Sequence, residues 1–188
     1  MKLELVVAVD DEWGIGKDGD LPWYHSEDLK NFARITKAAP EGKQNAVIMG
    51  RTTYLSLPKR PLPKRVNFLM TNQSREKLVA KLSEEGEYKD RIKRYAKHKM
   101  YVVNRLDQIN NLVPNLHTAF VIGGAQIYAH CIKNHADDIA AVHLTTVPGK
   151  HGCDTFIPEL EDFLNAQKLI AVSGQGYGDF RYEEFRRP

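Results

Sequence analysis

Ala119-Phe120-Val121-Ile122-Gly123-Gly124-Ala125-Gln126-Ile127-Tyr128 runs from a short apolar strand, through two adjacent glycines, into a helix that continues to about Lys133. A strand that ends in glycine and restarts as a helix is the joint of an α/β fold. The two glycines let the backbone come very close to a ligand, and the helix N–H groups beyond them are free for an anion. The pattern is not the dinucleotide fingerprint of three spaced glycines. Read alone, the stretch fits a tight turn without a ligand equally well.

Working outward, the rest of the chain keeps the same alternation. Leu3 to Val9, apolar and β-branched-rich apart from Glu4, predicts a buried strand ending at Asp10-Asp11. Residues 10–25, with Gly14, Gly16, Gly19 and Pro22, predict a loop. Ser26 to Ala38 predicts a helix with Ser26 as N-cap, Glu27 and Asp28 in the first turn, and Leu29, Phe32, Ala33 and Thr36 on one face. Ala46 to Met49 is a short strand before Gly50 and a helical turn; Pro58, Pro61 and Pro63 then impose an irregular segment. Strands follow at Val66–Met70, Met100–Val103 and Ile139–Val147, with a helix at Asp107–Leu112. Leu169–Val172 and Asp179–Phe185 form a terminal pair, close enough for a hairpin. The expected fold is a single α/β domain over residues 1–188, its sheet mostly parallel with an antiparallel C-terminal edge.

Composition narrows the function classes. The 188 residues are 42% hydrophobic and 27% charged, an ordinary globular balance. No apolar run approaches the length of a membrane span, and Met1-Lys2-Leu3-Glu4-Leu5 carries an acid where an export signal is apolar. Cys131 and Cys153 have no metal-ligand spacing around them, so the reading is two free thiols in a reducing, cytoplasmic setting with no metal site. The net charge of +3 is local. Residues 75–99 hold nine basic and five acidic side chains, leaving 18 basic and 19 acidic elsewhere. Within the charged insertion at about 73–99, Leu78 and Leu82 suit one short helix, and Tyr88, Ile92 and Tyr95 a second. A solvated helical insertion is the preferred reading over a nucleic-acid surface.

Three further features carry chemistry. Gly50-Arg51-Thr52-Thr53 places a glycine, a guanidinium and two hydroxyls at a helix start, groups that suit phosphate, although a capped helix with a solvated arginine fits as well. Asp28 shares the apolar face of its helix with Phe32, where a carboxylate is costly without a partner. Its functional reading is a carboxylate for a ligand with paired N–H donors; the alternative is an acid favoured by the helix dipole, which Glu27 fits better. Arg65, behind Arg60-Pro61-Leu62-Pro63-Lys64, sits in a proline-fixed loop and suits bidentate carboxylate recognition, or is a surface arginine.

Taken in order, these pieces resemble the dihydrofolate reductase family. The resemblance runs through Val7-Ala8-Val9, Gly14-Ile15-Gly16-Lys17-Asp18-Gly19-Asp20-Leu21-Pro22-Trp23, Asp28, Phe32, Val47-Ile48-Met49-Gly50-Arg51-Thr52-Thr53 and Arg60 to Arg65. It continues at Ile122-Gly123-Gly124, Tyr128, Leu144-Thr145 and Asp154-Thr155-Phe156-Ile157-Pro158, sparing only residues 73–99.

The resemblance implies a central eight-stranded sheet flanked by helices, and hydride transfer from NADPH to C6 of dihydrofolate with protonation at N5. It implies a pterin against Val7, Ala8, Phe32, Leu57, Leu62 and Ile122, paired with Asp28, which Thr145 supports. Arg65 would hold the glutamate carboxylate. Leu21 and Trp23 would belong to a closing loop, Trp23 helping to hold a water. NADPH would contact Ala8, Ile15, Gly19, Gly50, Arg51, Thr52, Thr53 and Thr71. It would also contact Ile122, Gly123, Gly124, Ala125, Gln126, Ile127 and Tyr128. The ligand of its 2′-phosphate is left open among Arg105, Asn104 and Arg75. Further expectations are binding of antifolate-type small molecules, a monomer, and no membrane or nucleic-acid partner. Trp23 to Asp28 and Arg65 argue against the related reductase of riboflavin synthesis on the same fold.

Overall fold

In the first strand, β1 (Leu3–Val9), Leu3, Leu5, Val7 and Val9 are buried in one core, while Val6 packs into a second on the opposite face. This two-sided burial is what a central parallel strand requires. The computed structural model describes residues 2–73, 77 and 100–188. The expected helices around Leu78–Leu82 and Tyr88–Tyr95, and Arg75, lie outside the described residues.

The main sheet is built from β1, β3 (Gln44–Met49), β4 (Val66–Met70), β5 (Met100–Val103), β6 (Leu116–Val121), β7 (Ile139–Thr146), β9 (Ile170–Tyr177) and β10 (Phe180–Arg186), in the order β5-β4-β3-β6-β1-β7-β10-β9. All pairings are parallel except those of β10, which runs antiparallel to both β7 and β9. The helices are α1 (Ser26–Lys37), α2 (Arg51–Ser56), α3 (Asp107–Leu112), α4 (Ala125–Asn134) and α5 (Glu159–Ala166). The eight-stranded, mostly parallel sheet with its antiparallel C-terminal edge is therefore as expected.

The differences have local causes. Ser26 is the first helical residue and His25 takes the N-cap position, with no side-chain capping bond. α5 went unpredicted, although Leu160 and Phe163 give it a buried face. β9 extends to Tyr177 through Ser173, Gly174 and Gly176, a loop-like sequence held as a strand by its ladder with β10. A short strand β2 (Gly14–Gly16), inside the expected loop 10–25, pairs with a second, β8 (Thr155–Phe156), in a segment for which no element was expected.

The chain crosses from β1 to β3 and later returns to insert β6 between them. Parallel α/β sheets bind ligands outside the carboxyl ends of their strands at such switch points. Ala8, Gly50 and Ile122, at the ends of β1, β3 and β6, meet there.

Candidate active site

A cleft of about 830 Å³ opens at this edge, between α1, α2, the start of α4 and the loop after β2. At one end is Asp28. Its helix turns the side chain inward, and Thr145 Oγ1 on β7 donates to Asp28 Oδ1 at 2.7 Å. Burial raises the Asp28 pKa from its ordinary value, against the Thr145 hydrogen bond and the nearby His25, which both favour the charge. His25 packs its ring on Phe180, centroids 4.8 Å apart.

At the other end lie the glycines. Gly50 N donates to Gly123 O at 2.8 Å, and the Gly123–Gly124 peptide is cis. A Cβ on Gly123 would stand 3.2 Å from Thr53 Oγ1 and 3.4 Å from the Tyr128 ring. Tyr128, buried, donates its hydroxyl to Val6 O at 2.6 Å, tying α4 to β1 beneath the cleft. Burial pushes its phenol pKa far above the ordinary value.

The loop over the cleft is fastened at its base. Asp10, 2% exposed, accepts backbone N–H bonds from Glu12, Gly14 and His151. Burial opposes its charge, but those donors outweigh it and lower the pKa. Asp18 N donates to Asp154 Oδ2 at 2.7 Å, and Asp154 N to Gly16 O at 3.0 Å, beside the β2–β8 pair. Trp23 sets its ring edge-on to His151, centroids 5.1 Å apart, and its buried Nε1–H has no hydrogen-bond partner among the described residues.

The residues named from sequence divide accordingly. Val7, Ala8, Ile15, Gly19, Leu21, Asp28, Phe32, Leu57 and Thr145 line the cleft. So do Gly50 to Thr53, Thr71 and Ile122 to Tyr128. Trp23, Leu62, Arg65 and Arg105 are not part of its wall. Leu62 packs into the second core. Arg65, only 6% exposed, lies with its guanidinium 5.6 Å from the Phe32 ring centre and donates to Thr36 Oγ1 at 2.6 Å and Pro63 O at 3.1 Å. Burial lowers its pKa to about 10. Arg105 is exposed and paired with Asp107. The sequence reading missed Val6, Asn31, Ile35, His130, His143 and Tyr182, which also line the cleft. Val6, Asn31, Ile35 and His130 carried a signal, the faces of β1, α1 and α4; His143 and Tyr182 required knowledge of long-range neighbours.

The glycines test whether a dinucleotide fits. At Gly19, Gly123 and Gly124 a side chain would meet Thr52 or Thr53, so the bare backbone keeps the cleft wall open beside hydroxyl donors. The apolar Ile15 and Ile122 continue the wall. The arrangement suits a long ligand that is polar at one end and flat and apolar at the other.

The family model described as dihydrofolate reductase matches residues 2–176. The chain is 33% identical over 168 residues to the dihydrofolate reductase of Aedes albopictus, an alignment covering 85% of this chain and 80% of that protein. It is 32% identical over 168 residues to the dihydrofolate reductase of Drosophila melanogaster, covering 86% and 82%. It is 33% identical over 167 residues to the bifunctional dihydrofolate reductase-thymidylate synthase of Glycine max, covering 84% of this chain and 28% of that longer protein.

Proposed function

Because the chain belongs to the dihydrofolate reductase family, we propose that its cleft binds the pterin at the Asp28 end and the cofactor along the Gly123–Gly124 wall. The enzyme is an NADPH-dependent oxidoreductase that reduces dihydrofolate to tetrahydrofolate. The observation that carries the orientation is the Asp28 carboxylate, part-buried in the cleft, with one oxygen held by Thr145 and the other left for a ligand.

In this reading Asp28 accepts N–H bonds from the pterin's amino group and ring nitrogen. Phe32, Val7, Ala8, Leu57 and Ile122 pack on the ring, and Leu62 supports that wall from behind. Arg65, stiffened by Thr36, Pro63 and Phe32, holds the glutamate carboxylate at the cleft rim. Gly50, Arg51, Thr52 and Thr53 hold phosphates, and Thr71 and Arg105 lie toward the adenosine. Ile15, Gly19 and Ala125 to Tyr128 complete the cofactor wall.

NADPH held along the Gly123–Gly124 wall would supply the hydride for C6 of the pterin. N5 gains a proton from water, and the Asp28 carboxylate stabilises the cation that protonation creates. Leu21 and Trp23 close the loop and exclude bulk solvent, which strengthens that stabilisation. Trp23 Nε1–H, without a hydrogen-bond partner among the described residues, is the donor that orients the water.

The same reading takes the protein as a cytoplasmic monomer that binds antifolate-type small molecules, without a nucleic-acid partner. No helix among the described residues is long and apolar enough to cross a membrane.

The test is loss of reduced-nicotinamide absorbance with dihydrofolate, for the wild type and for Asp28→Asn. Turnover that falls about 100-fold or more in the variant is expected. An Asp28→Asn enzyme as fast as the wild type would remove Asp28 from the reaction.

A further inference from the structure

Glu4, His143 and Tyr182 are buried polar side chains on the neighbouring strands β1, β7 and β10, and the reaction described above uses none of them. His143 joins the other two: its Nε2 lies 2.7 Å from Glu4 Oε2, and its Nδ1 lies 2.8 Å from the Tyr182 hydroxyl. The second Glu4 oxygen is 2.7 Å from Lys2 Nζ and 3.6 Å from Arg186. His143 and Tyr182 line the cleft, and all three residues also line a separate polar cavity of about 200 Å³ beneath α1. Tyr182 stands opposite Thr145 in the β7–β10 register, so it is the cross-strand neighbour of the hydroxyl that holds Asp28.

With His143 taken as a neutral imidazole, the donors and acceptors of this chain run in one direction. Burial disfavours the Glu4 charge, but the hydrogen bonds from His143 and Lys2 outweigh it and hold the carboxyl below its ordinary 4.5. An ionised carboxylate only accepts, so His143 Nε2 donates to it. A neutral imidazole protonated at Nε2 has a bare Nδ1, which only accepts. The Tyr182 hydroxyl therefore donates its one proton to His143. What remains to the Tyr182 oxygen is acceptor capacity alone.

We propose that Glu4 and His143 polarise Tyr182 into a fixed hydrogen-bond acceptor at the Asp28 end of the cleft, and that this acceptor selects substrates and inhibitors bearing a 2-amino group on the pyrimidine ring. The inference rests on the reading that Asp28 binds the pterin. Asp28 takes one amino N–H and the ring nitrogen; the second amino N–H is left for the Tyr182 oxygen, directly or through one water. Glu4 and His143 are positioning residues, and Tyr182 is a binding residue.

The experiment compares Tyr182→Phe, His143→Phe and the double variant in steady-state turnover, with Asp28→Asn as control. Tyr182→Phe should raise KM for dihydrofolate about three- to tenfold, with kcat and KM for NADPH within about twofold. His143→Phe should do the same, and the double variant should be no worse than either alone, because each breaks the same chain. Tyr182→Phe should also narrow the preference for a 2,4-diaminopyrimidine inhibitor over its 2-desamino counterpart. Nitrogen NMR of the wild type, which needs no variant to fold, should show His143 protonated at Nε2 and bare at Nδ1.

Variants that lose melting temperature but keep the dihydrofolate KM and the inhibitor preference would reduce the trio to a structural role. Protonation at Nδ1 would overturn the proposal as well, since Tyr182 would then keep its donor. Turnover unaffected in Asp28→Asn would instead condemn the placement of the pterin. Loss of turnover there, with a silent Tyr182→Phe, condemns this inference alone.

Discussion

Replacing Gly123 by alanine should damage the protein far more than the same change at Gly124. Gly123 has φ +120, a conformation that L side chains rarely adopt, and its added Cβ would stand 3.2 Å from Thr53 Oγ1 and 3.4 Å from the Tyr128 ring. A backbone held in such a region costs about 1–3 kcal/mol. Relief by moving Tyr128 stretches its buried bond to Val6 O, worth about 1 kcal/mol. Gly123→Ala should therefore cost about 2–4 kcal/mol, or about 5–15 °C in Tm for a chain of this size. Gly124 has φ −83, and its Cβ would meet Thr53 Oγ1 at 3.4 Å, ordinary contact, so Gly124→Ala should cost less than about 1 kcal/mol. Calorimetric melting of both variants, with NADPH titration by protein fluorescence, reads stability and the cofactor wall together. Equal melting temperatures for the two variants would refute the reasoning.

Three other outcomes follow from the site's electrostatics. Asp28 has a raised pKa, so its native form holds a proton more tightly than the unfolded chain, and stability falls as pH rises through that range. Asp28→Asn should therefore melt above the wild type at neutral pH, by on the order of 1 kcal/mol, with the difference vanishing in acid; a less stable variant at pH 7 would contradict this. Glu4 behaves oppositely: its pKa of about 2 gives stability that is present above 4.5 and lost as pH falls toward 2, on the order of 3 kcal/mol. Glu4→Gln should flatten the acid side of the stability curve, measured by urea unfolding from pH 2 to 7. Arg65→Lys should raise KM for dihydrofolate about tenfold or more while leaving the NADPH KM alone, because lysine can reproduce neither the contact with Phe32 nor the bond to Thr36 with a fork still left for carboxylate.

Much of the fold was legible because its signals are local. Leu3–Val9, Val66–Met70 and the strand–glycine–helix joint at 119–128 each announce themselves within a single window. Asp28 was legible for the same reason, as a carboxylate on the face of α1 that also carries Phe32. What failed were elements with little intrinsic propensity: β8 is two residues long and β9 contains two glycines, and both are strands because a partner strand offers its edge. Arg65 gave no hint of whether it faces water, since Phe32 and Thr36 reach it from α1. Glu4 read as a mere interruption of β1. Its partner His143 lies 139 positions away, a separation at which a sequence window carries no information.

The placement of β1 also bears on how the protein is made. Its parallel partners are β6, which begins at Leu116, and β7, which begins at Ile139. Leu3 to Val9 therefore leaves the ribosome well before either flanking strand exists. At about 5–20 residues per second that delay is about 5–20 s. Throughout it, an apolar segment with both edges open is a ready template for pairing with other chains. The strand that centres the finished sheet is the first to be synthesised and among the last to be satisfied, so the yield of native enzyme depends on what shields those seven residues in the interval.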